Sequence, residues 1–207
     1  MRFQHVFGVL IAIAAIAVAS SVAEASVQVY SDGPSTIGGG YYVNGGQEVS
    51  DSFSVLNATT LTSAQVGLWT APGDAPSTIN WSIGTTPYGS DVSSGTSTPI
   101  NNISFTTNGA WDFYQSSFLL NGPLSANTTY YLTLTGGVTA EGGSMPWDIC
   151  SGPSVSYIYG FYGPYTNYGE DFSLYGNTVN AVPEPTTITI WALLGLAVGA
   201  VCLRRRW

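Results

Sequence analysis

The chain has 207 residues and a formal net charge of −8, with four Lys or Arg against twelve Asp or Glu. Every cation and the one histidine lie near the ends, at Arg2, His5, Arg204, Arg205 and Arg206. Residues 26–181 therefore hold no Lys, Arg or His, but ten acids: Asp32, Glu48, Asp51, Asp74, Asp91, Asp112, Glu141, Asp148, Glu170 and Asp171. A stretch without cations cannot neutralise a phosphate backbone, which excludes nucleic acid as its partner. Nucleophilic sites of the Ser-His-Asp, Ser-Lys or Cys-His kind lack their base. Zinc lacks its usual ligands.

In chain order, Arg2 and His5 form a short basic region before an uncharged apolar run of 13 residues, Val6 to Val18. Ala23-Glu24-Ala25 then gives the small-x-small pattern of a cleavage site. This predicts a signal peptide over residues 1–25, cut between Ala25 and Ser26, and an extracytoplasmic location for the chain from Ser26 onward.

Residues 26–181 suffice for one domain that buries about two-thirds of its unfolded surface. Their apolar residues alternate with period 2 and show no 3.6-residue pattern. Ser26 to Tyr30 opens as a strand, and Ser31 to Gly40 reads as a Gly/Pro/Ser loop. Val49, Phe53 and Val55 share a strand face with Asp51, which must find partners there or sit at the strand's edge. Ala64, Val66 and Leu68 alternate next and lead to Trp69, followed by a turn cluster from Ala71 to Pro76. Ile79, Trp81 and Ile83 form another strand, and Thr85 to Pro99 reads as a polar loop. Ile103 with Phe105 and Tyr114 with Phe118 mark strands, and Leu119 to Asn127 holds a Gly-Pro turn. Tyr130, Leu132 and Leu134 give the cleanest alternation, and Val155 to Phe161 and Glu170 to Tyr175 complete the set. Some nine or ten short strands divided by turns predict an all-β fold, an antiparallel β-sandwich of jelly-roll-like form.

Cys150 is the only cysteine of this stretch, since Cys202 lies near the chain's end, so no internal disulfide holds the domain. Cys150 reads either as a small buried apolar residue or as a thiol for an intermolecular bond. Tyr157, Tyr159, Tyr162, Tyr165 and Tyr168, with Trp147, are the candidate saccharide contacts, because flat rings with polar tips both stack and hydrogen-bond. The same tyrosines equally suit strand faces. Asp148, Glu170 and Asp171 are the candidate calcium ligands, since that ion takes six to eight oxygens; solvated loop acids are the other reading. No further cofactor is expected. A carboxylate pair of the glycosidase type is the remaining catalytic option, and it lacks the basic residues usual in such clefts, so no catalytic residue is assigned.

Residues 182–207 begin Val182-Pro183-Glu184-Pro185. Two prolines so close together keep the backbone extended and accessible. From Thr186 to Leu203 there are 18 uncharged residues, which as a helix would span roughly 27 Å. That is a little short of a hydrocarbon core of about 30 Å. Arg204, Arg205 and Arg206 would hold the following end on the cytoplasmic side. This order resembles the PEP-CTERM sorting signal of bacterial exported proteins. The resemblance implies a transient partner, an exosortase, that recognises Pro183-Glu184-Pro185, removes the tail and delivers the protein to the cell surface or extracellular matrix. Until then the tail helix would anchor the chain in the inner membrane.

A second resemblance covers most of residues 50–176. Leu68-Trp69-Thr70-Ala71-Pro72-Gly73-Asp74, Asn80-Trp81-Ser82-Ile83-Gly84, Tyr130-Tyr131-Leu132-Thr133-Leu134 and Trp147-Asp148 occur in that order. They look like a β-sandwich ectodomain that recurs among PEP-CTERM proteins. Ile149-Cys150-Ser151 departs from the polar residues found there in the relatives, so no role of that loop is carried over. The expected organisation is a signal peptide (1–25), a β-sandwich ectodomain (26–181) and a sorting signal with a transmembrane helix (182–207). The expected function is that of a non-enzymatic surface or secreted component of the extracellular polysaccharide matrix or cell envelope, in biofilm or floc. The alternative is a carbohydrate-binding module using surface Tyr and Trp, stabilised by calcium.

Overall fold

The structure is a computed structural model that describes residues 26–107, 110–159, 162–165 and 168–178. These lie in one compact unit, Ala25–Val179. The leader, with Ala23 and Ala25, and the tail, with Pro183, Glu184, Pro185 and Arg204 to Arg206, fall outside the described residues.

Every element described is a strand. In chain order they are β1 (Val27–Ser31), β2 (Ser35–Tyr42), β3 (Glu48–Ser54), β4 (Thr59–Thr70), β5 (Pro76–Gly84), β6 (Ser93–Ser97) and β7 (Ile100–Thr107). After these come β8 (Trp111–Leu124), β9 (Thr129–Thr139), β10 (Pro146–Cys150), β11 (Ser156–Ile158), β12 (Tyr162–Tyr165), β13 (Gly169–Glu170) and β14 (Phe172–Thr178). They build two antiparallel sheets. The six-stranded sheet runs β12-β11-β3-β9-β5-β6. In the eight-stranded sheet β4 is the hub: β14 and then β1 lie on one side, and β8 and then β7 on the other. β10 meets β4 at its end, through Trp147 and Leu68, and carries β2 and β13.

Alternation decides which residues turn inward. Tyr130, Leu132 and Leu134 of β9 and Val49 and Phe53 of β3 face the core from one sheet. Ala64, Val66 and Leu68 of β4, Phe118 of β8 and Phe172 and Leu174 of β14 face it from the other. Phe53 meets Phe172 edge-on at 6.1 Å, and Trp147 meets Phe172 at 5.8 Å. Leu61 joins the same core despite its odd parity, because register shifts beside it turn the strand between Leu61 and Ser63. Burial of this continuous apolar layer, at roughly 25 cal/mol per Å², is the main term holding a domain without disulfides.

Three strands lie where the sequence reads as loop or is silent. β2 occupies most of the Ser31–Gly40 segment although its sequence is Ser-Thr-Ile-Gly-Gly-Gly-Tyr-Tyr. It forms because β10 offers it a pairing edge, and Gly40 allows the close approach: a Cβ there would lie 2.2 Å from the carbonyl oxygen of Trp147. β6 is small and polar throughout, and is formed by pairing with β5. Gly95 lies beneath the Trp81 ring, where a Cβ would come within 2.9 Å. β10 itself, five residues with Pro146 at its head, shows little periodic signal. Conversely, the Gly122-Pro123 turn does not form, and β8 runs through it. β7 pairs with β8 only over Trp111–Ser117, so Pro123 has no ladder donor to supply on that side.

Candidate functional site

The carboxylates come first, because burial makes them the most unusual chemistry of the domain. Asp32, Asp51, Asp148 and Glu170 are all buried. Asp51 lies on the inward face of β3, as alternation requires, and finds its partners there. Its Oδ1 accepts from the Ser52 amide at 2.7 Å, and its Oδ2 accepts from the Glu170 amide. Asp32, just after β1, accepts from the Tyr30 hydroxyl at 2.9 Å and the Cys150 thiol at 3.1 Å. Ser154 Oγ stands between the two acids, hydrogen-bonded to Asp32 Oδ2 and, at 2.9 Å, to Asp51 Oδ2. A hydroxyl has one proton, so both bonds form when Asp51, whose proton affinity burial raises, carries another. Ser156 Oγ stands in the same way between the Tyr168 carbonyl at 3.2 Å and Glu170 Oε1 at 3.0 Å. Since a carbonyl only accepts, both bonds form when Glu170 is a neutral acid. Its other oxygen, Oε2, is buried without a partner.

Electrostatics agrees with this proton count. Burial, reinforced by Asp51, raises the Glu170 carboxyl well above the usual carboxylate range. Burial likewise pushes Asp51 up to about 8 against the pull of its hydrogen bonds, and Asp171 up to about 6. Burial and Asp32 also raise the Cys150 thiol, so the residue is a protonated, enclosed donor rather than a nucleophile. Cys150 is fully buried, which puts it out of reach of an intermolecular disulfide. The cluster fits only because Gly169 has no side chain: a Cβ there would lie 1.8 Å from Asp32 Oδ2 and 2.0 Å from Ser154 Oγ.

The three candidate calcium ligands are drawn to different partners. Asp148 accepts from the Trp69 indole N–H at 2.6 Å and from the Ser35 hydroxyl. Asp171 accepts from the Gln115 amide at 3.1 Å, and Glu170 belongs to the Asp51 cluster. Among the described residues no group of three acidic or cysteine side chains is arranged to hold a metal ion. Asp32, Ser154 and Ser156 were not legible as members of a cluster. The one advance signal was Asp51, an acid on an apolar strand face.

Of the candidate saccharide contacts, Tyr157 and Tyr159 lie on one patch with Tyr88 and Tyr131, and Trp147 does not join them. Trp147 is 0% exposed, so it is a core residue and not a sugar platform. Its indole N–H donates to the Asp171 carbonyl at 2.9 Å. Tyr159 is 63% exposed and meets Tyr88 edge-on at 6.0 Å, while Tyr157 meets Tyr131 edge-on at 5.6 Å. Rings set nearly perpendicular do not make one flat stacking surface. Tyr168 is 49% exposed just before β13. Tyr162 and Tyr165 lie in β12, of which only the backbone path is described.

A cleft lies beside β2. It measures about 370 Å³ and is lined by Gly38, Gly39, Gly40, Tyr42, Trp69, Trp111 and Pro146. A shallower one of about 390 Å³ shares Tyr42 and is otherwise lined by Asn44, Gly45, Gln47, Gly142, Gly143 and Ser144. Pairing of β2 with β10 and of β4 with β8 brings these segments to one place.

Compared with curated proteins, the chain matches none. Residues 181–206 match the family model of the PEP-CTERM protein-sorting motif. The chain therefore carries the sorting motif of an exported protein that is processed by an exosortase.

Proposed function

We propose that the sandwich is a non-enzymatic component of the extracellular polysaccharide matrix or cell envelope, delivered there by exosortase processing. The observation that carries this reading is where the carboxylates lie. The buried acids with raised proton affinity are enclosed and bonded to hydroxyls and amides, and among the described residues neither cleft beside Tyr42 is lined by an acid or a base. Such acids hold strands together, and a solvent-sealed carboxyl meets no substrate. The sorting motif supplies the route outward. Fractionation of cultures into cells, extracted matrix and medium tests the reading. The matrix or envelope fraction is expected to hold the protein, beginning at Ser26 and lacking the arginine cluster by mass spectrometry. Recovery only from the medium, or as the intact chain in the inner membrane, would overturn it.

A second reading, a carbohydrate-binding module, is favoured by one feature, the aromatic cleft beside β2.

A further inference from the structure

The geometry points to the two clefts that meet at Tyr42 as a binding site for a neutral polysaccharide chain. This inference rests on the matrix reading above and names the partner and the place. The first cleft has the makings of a sugar subsite. Three consecutive glycines give a floor without side chains, and Gly39, at φ +137°, has nothing within 4 Å of where a Cβ would stand. The indole of half-buried Trp111 and the ring of Tyr42, 41% exposed at the mouth, supply apolar faces. A pyranose ring offers matching C–H faces with hydroxyls around its rim. The adjoining cleft differs in chemistry: Gln47 and Ser144 bring an amide and a hydroxyl, groups that bond sugar hydroxyls as donor and acceptor alike, while Asn44 is held in place by the Gly143 carbonyl and the Met145 amide.

Size and charge narrow the occupant. Each cleft falls within the 300–1,000 Å³ range of small-ligand sites, and two sharing one tyrosine suit consecutive residues of a chain better than one free monosaccharide. No cation exists anywhere in residues 26–181 to pair with a uronate, sulfate or phosphate. An anionic chain would instead meet the repulsion of the domain's ionised acids, with no cation to offset it. A neutral chain meets neither penalty.

The test is affinity electrophoresis of the exported protein, purified from culture, through gels containing dextran, hydroxyethylcellulose, galactomannan or alginate. Retardation by at least one neutral polymer and none by alginate is expected. Tyr42→Ala and Trp111→Ala should each weaken the apparent affinity tenfold or more, with Tyr42→Ala leaving the melting midpoint unchanged. Absence of retardation in all three neutral gels, equal retardation in alginate, or retention of full affinity by both variants would overturn the inference. The same variants, tracked through matrix fractionation, keep the two readings apart. If wild-type protein is found in the matrix but no neutral polymer retards it, the cleft fails and the matrix reading stands.

Discussion

Two regions of one sandwich use polar residues in opposite ways. Around Asp32, Asp51 and Glu170 the polar groups are sealed in, matched to one another and short of cations, so protons take the place that lysine or arginine would fill elsewhere. Beside β2 the acids are absent from the lining, and rings, glycines and amides face an open cleft. Burial makes the first region a determinant of stability and pH response, since an enclosed carboxyl is costly when charged. Accessibility makes the mouth of the second, at Tyr42, a surface that can change with little cost to the fold.

The largest expected separation between the regions is in pH dependence. The raised carboxyls of Asp51 and Asp171 favour the protonated form in the fold, whereas in the unfolded chain an aspartate titrates near 3.9. The native state therefore binds more protons than the unfolded state between about pH 4 and pH 8, and stability falls as pH rises through that window. Asp171 contributes the lower part, up to about 6, and Asp51 extends the fall to about 8. Calorimetry from pH 4.5 to 8.5 should find a melting midpoint that decreases steadily. Asp51→Asn should flatten the upper part of the curve. A midpoint that rises with pH over this range would contradict the neutral-acid cluster.

Gly169→Ala comes next. Its methyl would enter the space of the Asp32 carboxylate and the Ser154 hydroxyl, and overpacking of this kind should cost about 3 kcal/mol in urea unfolding. Trp69→Phe keeps most of the ring but removes the indole donor from buried Asp148, and about 2 kcal/mol is expected from the under-paired carboxylate. The smallest stability effect belongs to the cleft: Tyr42→Ala should shift stability by no more than about 0.5 kcal/mol, measured alongside the others. A cost at Tyr42 matching that at Gly169 would erase the distinction between the regions.

Much of the sandwich was legible in the alternation alone. β9 and the core half of β4 point their residues as their sequences dictate, because an inward apolar row buries whichever way neighbouring strands are ordered. β2 and β6 were illegible for the complementary reason. Glycine, serine and threonine carry no period, and these segments become strands by pairing with an edge that only the folded neighbours supply. Tyr157 to Tyr168 is dense in tyrosine along a single stretch of chain. The cleft instead joins residues from β2, β4, β8 and β10.

The sequence by itself determined the address and the sign of the chemistry. A sorting motif read along the chain at residues 181–206 needs no folded neighbours to be read, and a domain without cations is acidic however it folds. It also determined that Asp51, on an apolar face, would need partners or a place at the strand's edge. Only the tertiary structure decided which partners. Asp32, Ser154 and Glu170 reach Asp51 from separate turns and strands, held close enough to share protons by sheet pairing and by the missing side chain of Gly169. Distances of that kind arise from three-dimensional packing, and no one-dimensional pattern encodes them.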